Sequence, residues 1–89
     1  SDVSVDASQL LEQGNQQYDR GNFQAAITNW EQAIAYYRRT NHWLNVGQIL
    51  IKQAQAYNSL GKPEKAIILS ESALQIARVC NDDSLEAAA

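Results

Sequence analysis

The hydrophobic positions between Gly21 and Arg38 follow a helical spacing. Apolar residues recur there at intervals of three and four, which is the pattern of a helix with one wide buried face. These residues are Phe23, Ala26, Ile27, Trp30, Ala33, Ile34 and Tyr37. Gly21 can end a preceding helix, and Asn22 can cap this one. The stretch therefore predicts an amphipathic helix packed against neighbouring helices.

The same pattern returns 40 residues further along, counted from Gly21 to Gly61. The recurring residues are Gly61, Pro63, Ala66, Ile67, Ala73, Leu74 and Ala77. A repeat of this length indicates an array of helices. We expect four segments: a disordered N-terminus at 1–6, a first hairpin at 7–40, a second at 41–80, and the start of a third repeat or a capping helix at 81–89.

Capping residues set the expected helix boundaries. Asp6 and Asn41 are good N-caps for the first and third helices. The expected helices are 7–20, 23–39, 42–60 and 63–79, with a fifth in 82–89. Gly14 lies in the middle of the first helix, where it costs about 1 kcal/mol relative to alanine. It therefore suggests close approach of another helix, with the Ala26 face of the second as its natural neighbour.

The two copies resemble the tetratricopeptide repeat. The matching residues in the first copy are Leu10, Gly14, Asn15, Tyr18, Gly21, Phe23, Ala26, Ile27, Trp30, Ala33 and Ile34. In the second copy they are Leu50, Ala54, Tyr57, Gly61, Ala66, Ile67, Ala73 and Leu74. Pro63 and Ser70 depart from the pattern, and the period is about 40 rather than 34 residues. Repeats of this length resemble those of kinesin light chains, of bacterial peptide-sensing regulators and of bacterial arrays that precede CHAT (caspase-like) domains. The segment QGNQQYDRGNFQAAITNWEQAI most resembles the last group.

This resemblance implies an all-α fold. Antiparallel helix hairpins would stack into a right-handed superhelical array of two repeats plus the start of a third. The concave face of such an array is an extended binding surface, so the implied function is a protein–protein interaction scaffold that forms part of a longer array. The implied partner is a protein or a peptide segment.

The resemblance also places the first helix of each hairpin on the concave face. The implied lining residues are Ser8, Leu11, Asn15, Tyr18, Asp19, Gln48, Ile51, Lys52, Gln55, Asn58 and Ser59. Their amides and hydroxyls, with one lysine, can hydrogen-bond a peptide. The expected peptide-binding groove runs through Asn15, Tyr18, Lys52, Gln55 and Asn58. The alternative is a solvated inner face whose partner binds elsewhere on the array.

Composition argues against several other classes. The formal net charge of −3 does not suit nucleic acid, because phosphate binding needs a clustered basic surface. No apolar run approaches the roughly 18 residues that span a membrane, and no signal peptide is visible. The sequence leaves the compartment open, with a cytoplasmic location slightly favoured. The single His42 and single Cys80 form no cluster at metal-ligand spacing, so we expect no catalysis, metal or cofactor.

Self-association is the alternative function. Two repeats bury little surface, and arrays usually need three or more. The chain contains no methionine, so we expect a processed or excised part of a longer protein. The apolar run 67–69 predicts that the fourth helix is covered on two sides. An excised piece would expose its apolar face around Ile68, Leu69 and Val79, which a homodimer or residues 82–89 could cover.

Overall fold

The computed structural model describes the backbone of residues 3–88 and the side chains of residues 7–82. It contains four helices: α1 (Val3–Asp19), α2 (Phe23–Arg39), α3 (Trp43–Ser59) and α4 (Pro63–Ala88). The described backbone has no strand, so the predicted all-α class is confirmed. α1 packs on α2 and α3 packs on α4 as hairpins, while α2 also packs on α3 and joins the two hairpins.

The three connections have the same geometry and recur every 20 residues. Their central residues have left-handed φ angles of 82° at Gly21, 61° at Asn41 and 74° at Gly61. In the first turn the Gly21 amide donates to the Tyr18 carbonyl (2.9 Å) and the Asn22 amide to the Gln17 carbonyl (2.8 Å). The same two bonds recur in the other turns, and together they form a Schellman motif that satisfies the last carbonyls of each helix.

Two of the caps predicted in the turns between helices need correction. Asn41 is not the N-cap of α3, because His42 takes that position and Asn41 occupies the left-handed turn site. Asparagine tolerates this site better than most residues, so it replaces the glycine found in the other two turns. Asn22 is the N-cap of α2, but its side chain donates to Gln17 Oε1 (2.8 Å) rather than to the α2 backbone.

The ends of α1 and α4 also differ from expectation. α1 begins at Val3, so Asp6 lies inside it, and residues 3–6 are helical rather than disordered. Once the packed part of a helix has formed, each added residue costs little. Ser1 and Asp2 lie outside the described residues.

α4 runs without a break to Ala88, so the predicted boundary near Val79 and the separate fifth helix are wrong. No glycine or proline interrupts this segment, and its last residues are strong helix formers. The repeat boundaries after residues 40 and 80 stay predictions.

One core joins α2 to its neighbours on both sides. The buried residues that form it are Ala26, Ile27, Trp30, Ala33, Ile34, Val46, Ile49 and Ala56. Leu10, Leu11, Tyr18 and Phe23 pack against it from the first hairpin and the first turn. The core thus fixes α1 and α3 on the two flanks of α2, and this arrangement creates the cleft described below.

Gly14 lies at a close helix approach, as its position in the sequence suggested. Its contact is the indole of Trp30, however, rather than the small face around Ala26. A Cβ built at Gly14 would lie 2.9 Å from Trp30 Cε2 and closer still to Nε1 and Cδ1. Glycine therefore makes room for the largest side chain of the core, which is 2% exposed.

α4 is covered on one side only. Among the described residues, α3 is the helix that packs on α4. The inward face of α4 carries Ala66 and Ala73, which are buried. Ile67 and Ile68 are 56% and 61% exposed, so the expectation that this run is covered on two sides is wrong for these residues. Val79 is also exposed, whereas Leu69 is half-buried. The apolar sequence here marks an uncovered surface rather than a doubly buried helix.

Candidate functional site

A small polar cleft lies between α1 and α3, with α2 at its base. It has a volume of about 230 Å³. Its lining residues are Asn15, Tyr18, Asp19, Trp30, Lys52 and Gln55. Four of the five residues predicted for the groove are among them, and they come from both hairpins. We call this site the α1/α3 cleft.

Helical periodicity explains why these side chains converge. Asn15, Tyr18 and Asp19 follow one another at intervals of three and four, so they share one face of α1. Lys52 and Gln55 are three residues apart and share one face of α3 for the same reason. The cleft therefore requires two helices in one register, and that register is set by the packing of α3 on α2.

Trp30 forms an ordered apolar floor for the cleft. Its indole Nε1 donates a hydrogen bond to the Leu11 carbonyl (3.3 Å), which links α2 to α1. Tyr18 lies above it with a ring-centroid distance of 6.0 Å, and Phe23 meets Tyr18 edge-on at 5.3 Å. The three aromatic rings hold the Tyr18 side chain between the core and the cleft, so its position there is fixed by packing.

The Asn15 side chain contains an unsatisfied acceptor. Its Oδ1 atom is buried and has no hydrogen-bond partner within the described part of the chain. Burying such an atom without a partner costs about 1–3 kcal/mol. An N–H group reaching the cleft could recover part of this cost if the Asn15 amide turned toward it. This observation distinguishes Asn15 from an ordinary solvated amide.

Asn58, the fifth predicted groove residue, does not line the α1/α3 cleft. It lies one helical turn beyond Gln55 on α3 and lines a different groove, next to Pro63, Ser70 and Leu74 of α4. A ligand that occupied the cleft would have to continue along α3 to reach it. The structure thus brings four of the predicted residues together and leaves Asn58 outside.

The remaining chemically notable side chains lie apart from this cleft. His42 is exposed at the start of α3, where its Nδ1 lies 2.7 Å from Thr40 Oγ1. Arg38 lies over the Trp43 ring at 5.8 Å. Among the side chains of residues 7–82, no group of three or more His, Cys, Asp or Glu residues is placed so that it could hold a metal ion. None of the described helices has the length and apolarity needed to cross a bilayer.

Comparison with known families agrees with this architecture. The family model described as "Tetratricopeptide repeat" matches residues 6–78, which is most of the chain. The chain belongs to the tetratricopeptide repeat family. Neither the curated proteins nor the solved structures include a significant match. Tetratricopeptide domains generally mediate protein–protein interactions and are typically not catalytic. Membership of the family therefore supports a role as an interaction scaffold, without identifying the partner.

Within this tetratricopeptide pair, two features were missed from the sequence. The apolar spacing placed Trp30 on the buried face of α2, yet it also lines the cleft, because a large indole can be buried over most of its surface and still form a floor. The exposed apolar residues of α4 were expected around Ile68, Leu69 and Val79. Leu69 is half-buried, however, and Ile67 and Leu74 are about as exposed as Ile68 and Val79. Neither feature follows from the sequence, because both depend on how helices from different parts of the chain pack.

Proposed function

We propose that this tetratricopeptide pair binds a peptide segment in the α1/α3 cleft, through Asn15, Tyr18, Lys52 and Gln55, with Asn58 contacting the same peptide further along α3. The observation that carries the proposal is the convergence of four polar side chains from two hairpins over a fixed aromatic floor. The buried Asn15 Oδ1 without a partner among the described residues adds to it, since a peptide N–H would be a suitable donor if the Asn15 amide turned toward the cleft.

The size of the cleft favours a peptide over a small molecule. Pockets for small ligands usually have volumes of about 300–1,000 Å³. The cleft is smaller, at about 230 Å³, and both amide and charged groups border it. One side chain of an extended peptide fits such a space, while the peptide backbone can bond the amides at its edge. Lys52 favours an acidic or carbonyl group at that point of the ligand.

The proposal can be tested with a peptide selected from a random linear library against the immobilised protein. Lys52→Glu should weaken binding of that peptide about tenfold or more, because a hydrogen bond to a charged group contributes about 1.5–3 kcal/mol. Lys62→Glu changes the same charge on an exposed turn residue and serves as the control. Asn58→Ala tests whether the peptide extends along α3.

Nuclear magnetic resonance would locate the bound peptide independently. Titration should shift the side-chain amide signals of Asn15 and Gln55. If Lys52→Glu and Lys62→Glu weaken binding equally, or if the shifts map to α4, the assignment of the cleft is wrong.

We propose no catalytic role. The bacterial, CHAT-linked and cytoplasmic context suggested by the resemblance and the sequence stays a prediction.

Self-association through α4 is the second candidate. One observation favours it: Ile67, Ile68, Leu74 and Val79 are each about half exposed or more, which is unusual for large aliphatic residues on one helix. Sedimentation over a wide concentration range would decide the question. A protein that stays monomeric at high concentration would exclude the homodimer and leave the peptide proposal unaffected.

A further inference from the structure

Two charges of opposite sign border the α1/α3 cleft without neutralising each other. Lys52 is half-buried on α3, and Asp19 is exposed at the last residue of α1. In the part of the chain that the structure describes, neither side chain has an ion-pair partner within 4.0 Å. The packing of the helices therefore holds the ammonium and the carboxylate apart. A ligand in the cleft would meet one unpaired cation and one unpaired anion.

The two walls of the cleft differ in charge. The sequence of α1 contains acidic residues and no basic ones, whereas Lys52 is the only charged residue in the sequence of α3. The repeat does not impose this difference, because the counterparts 40 positions away are Glu12 for Lys52 and Ser59 for Asp19. The cleft therefore has an acidic wall and a basic wall, and this arrangement is particular to these two hairpins.

Asp19 lies where a carboxylate destabilises the helix that carries it. The C-terminal end of a helix has a partial negative charge and favours basic side chains. α2 follows that rule with Arg38 and Arg39 in its last turn, but α1 has no basic residue there. Arg20 follows Asp19 in the chain and forms no ion pair with it. A position that breaks a local rule without a visible compensation is a candidate for function.

Depth within the cleft separates the roles of the two charges. Lys52 is half-buried beside a volume of about 230 Å³, which accommodates one side chain. An acidic side chain entering this volume can reach the Lys52 ammonium and the amide of Gln55. Asp19 is exposed, so a basic side chain can meet it at the rim. Residues i and i+2 of an extended peptide point the same way and lie about 6–7 Å apart, which suits one charge inside the cleft and the other at its rim.

We propose that the α1/α3 cleft selects a peptide with an acidic residue and, two positions away, a basic residue. The acidic side chain pairs with Lys52 inside the cleft, and the basic side chain pairs with Asp19 at its rim. Asp19 also repels a second acidic side chain, so uniformly acidic peptides bind less well. This selectivity rests on the peptide binding proposed above and specifies the charge pattern of the ligand.

Parallel selections from the random linear peptide library test this selectivity. The baits are the native 89-residue chain, Asp19→Asn, Lys52→Gln and Glu12→Gln. The first two substitutions each remove one charge from the cleft with little change in side-chain size. Glu12→Gln is the matched control, because Glu12 is an exposed acidic residue of α1 that does not line the cleft. Sequencing the bound pools gives the frequency of acidic and basic residues at each spacing.

The native chain should enrich peptides with an acidic and a basic residue two positions apart. Asp19→Asn should remove the preference for the basic residue alone, and Lys52→Gln the preference for the acidic residue alone. Glu12→Gln should select the same peptides as the native chain. The two effects should be separable because each charge is unpaired in the protein and acts on its own partner in the peptide.

Affinities for one peptide selected by the native chain give the magnitudes. Lys52→Gln should weaken binding about tenfold or more, because hydrogen bonds to charged groups are strong. Asp19→Asn should weaken it up to about fivefold, since exposed ion pairs contribute less. Replacing the basic residue of the peptide with alanine should have the same effect as Asp19→Asn, and the two changes together should weaken binding no more than either alone.

A stability measurement separates this loss of binding from misfolding. Asp19→Asn removes a negative charge from the end of α1, where it is unfavourable. The urea-unfolding midpoint should therefore stay the same or rise, even though the peptide binds less tightly. A lower midpoint would mean that Asp19 supports the fold rather than the selection of a basic residue.

Two further results would overturn this selectivity while leaving peptide binding intact. The first is a set of peptides that shift the Asn15 and Gln55 amide signals but prefer a basic residue equally with the native chain and with Asp19→Asn, or with neither. The second is enrichment of uniformly acidic peptides by the native chain. If the selected peptides shift neither amide signal, the proposed function itself is wrong, and the charge pattern falls with it.

Discussion

The contact between Gly14 and Trp30 gives the sharpest prediction about stability. Gly14→Ala adds one methyl group in the middle of α1, directly against the indole. Alanine favours the helix by about 1 kcal/mol over glycine, so helix propensity alone predicts stabilisation. Packing predicts the opposite, because three indole atoms would lie within 3.0 Å of the new Cβ. The sign of the effect depends on which of the two terms is larger.

The structure indicates that packing dominates. Trp30 is 2% exposed and lies inside the core, so it cannot move without disturbing its neighbours. Forcing extra atoms into a packed core costs about 1–3 kcal/mol. Displacing the indole would also break its hydrogen bond to the Leu11 carbonyl, worth about 1 kcal/mol. After the gain in propensity is subtracted, we expect a net loss of about 1–3 kcal/mol in the free energy of unfolding.

Gly47→Ala provides a matched control in α3. A Cβ at Gly47 would lie 3.6 Å from Ile76 Cγ2 and 3.8 Å from the Ala73 carbonyl oxygen, which are ordinary contacts. Only the helix propensity then changes, so Gly47→Ala should stabilise the protein by up to about 1 kcal/mol. The same substitution in two buried helical glycines should therefore have opposite signs.

Urea unfolding followed by far-ultraviolet circular dichroism measures both variants. Gly14→Ala should lower the midpoint and Gly47→Ala should raise it, with similar slopes. In thermal unfolding, each 1 kcal/mol corresponds to about 4–8 °C for a domain of this size. If Gly14→Ala stabilises the protein as much as Gly47→Ala does, Trp30 is not held against α1 and the packing argument fails.

Further predictions concern the turns and the buried amide. Gly61→Ala should lower the free energy of unfolding by about 1–2 kcal/mol because the φ angle of Gly61 is 74°, although no atom lies within 4 Å of the new Cβ. Asn41 has a φ angle of 61°, so Asn41→Gly should leave the unfolding midpoint unchanged or raise it slightly. A loss at Asn41→Gly larger than that at Gly61→Ala would contradict the shared turn geometry. Gln53→Glu removes the amide that donates to the Ile27 carbonyl and buries a carboxyl group in its place. Burial would raise the pKa of this carboxyl group. The stability of the Gln53→Glu variant should therefore be closer to that of the native protein at pH 4 than at pH 7. If the difference between the two unfolding midpoints does not change with pH, this side chain is solvated.

The repeated pattern allowed the helices to be predicted from the sequence. Apolar residues at intervals of three and four identified the buried side of α2. Five of the seven residues expected there are buried, while Phe23 and Tyr37 are partly buried and pack against the core. Gly21 and Gly61 correctly marked the ends of α1 and α3, because a helix ends readily where the backbone can adopt a positive φ. The third turn site of this kind was missed, since asparagine at position 41 also suits a helix cap.

The α1/α3 cleft could be predicted only in part. Spacing along α1 placed Asn15 and Tyr18 on one face, and the resemblance suggested that this face was concave. Neither could show that Trp30 would form its floor or that Asn58 would lie in another groove. Those facts depend on the distance and register between helices from different hairpins, which follow from the packing of α3 on α2.

The sequence by itself determined the local elements and the repeat, because helix periodicity and turn chemistry involve residues close together in the chain. Tertiary structure decided which faces are covered. Ile27 and Ile67 occupy the same position of the repeat, yet one is fully buried and the other is 56% exposed. The difference arises because α3 packs on α2, while no described helix packs on the same side of α4. Burial is a property of neighbours, and neighbours from distant parts of a chain are set by three-dimensional packing.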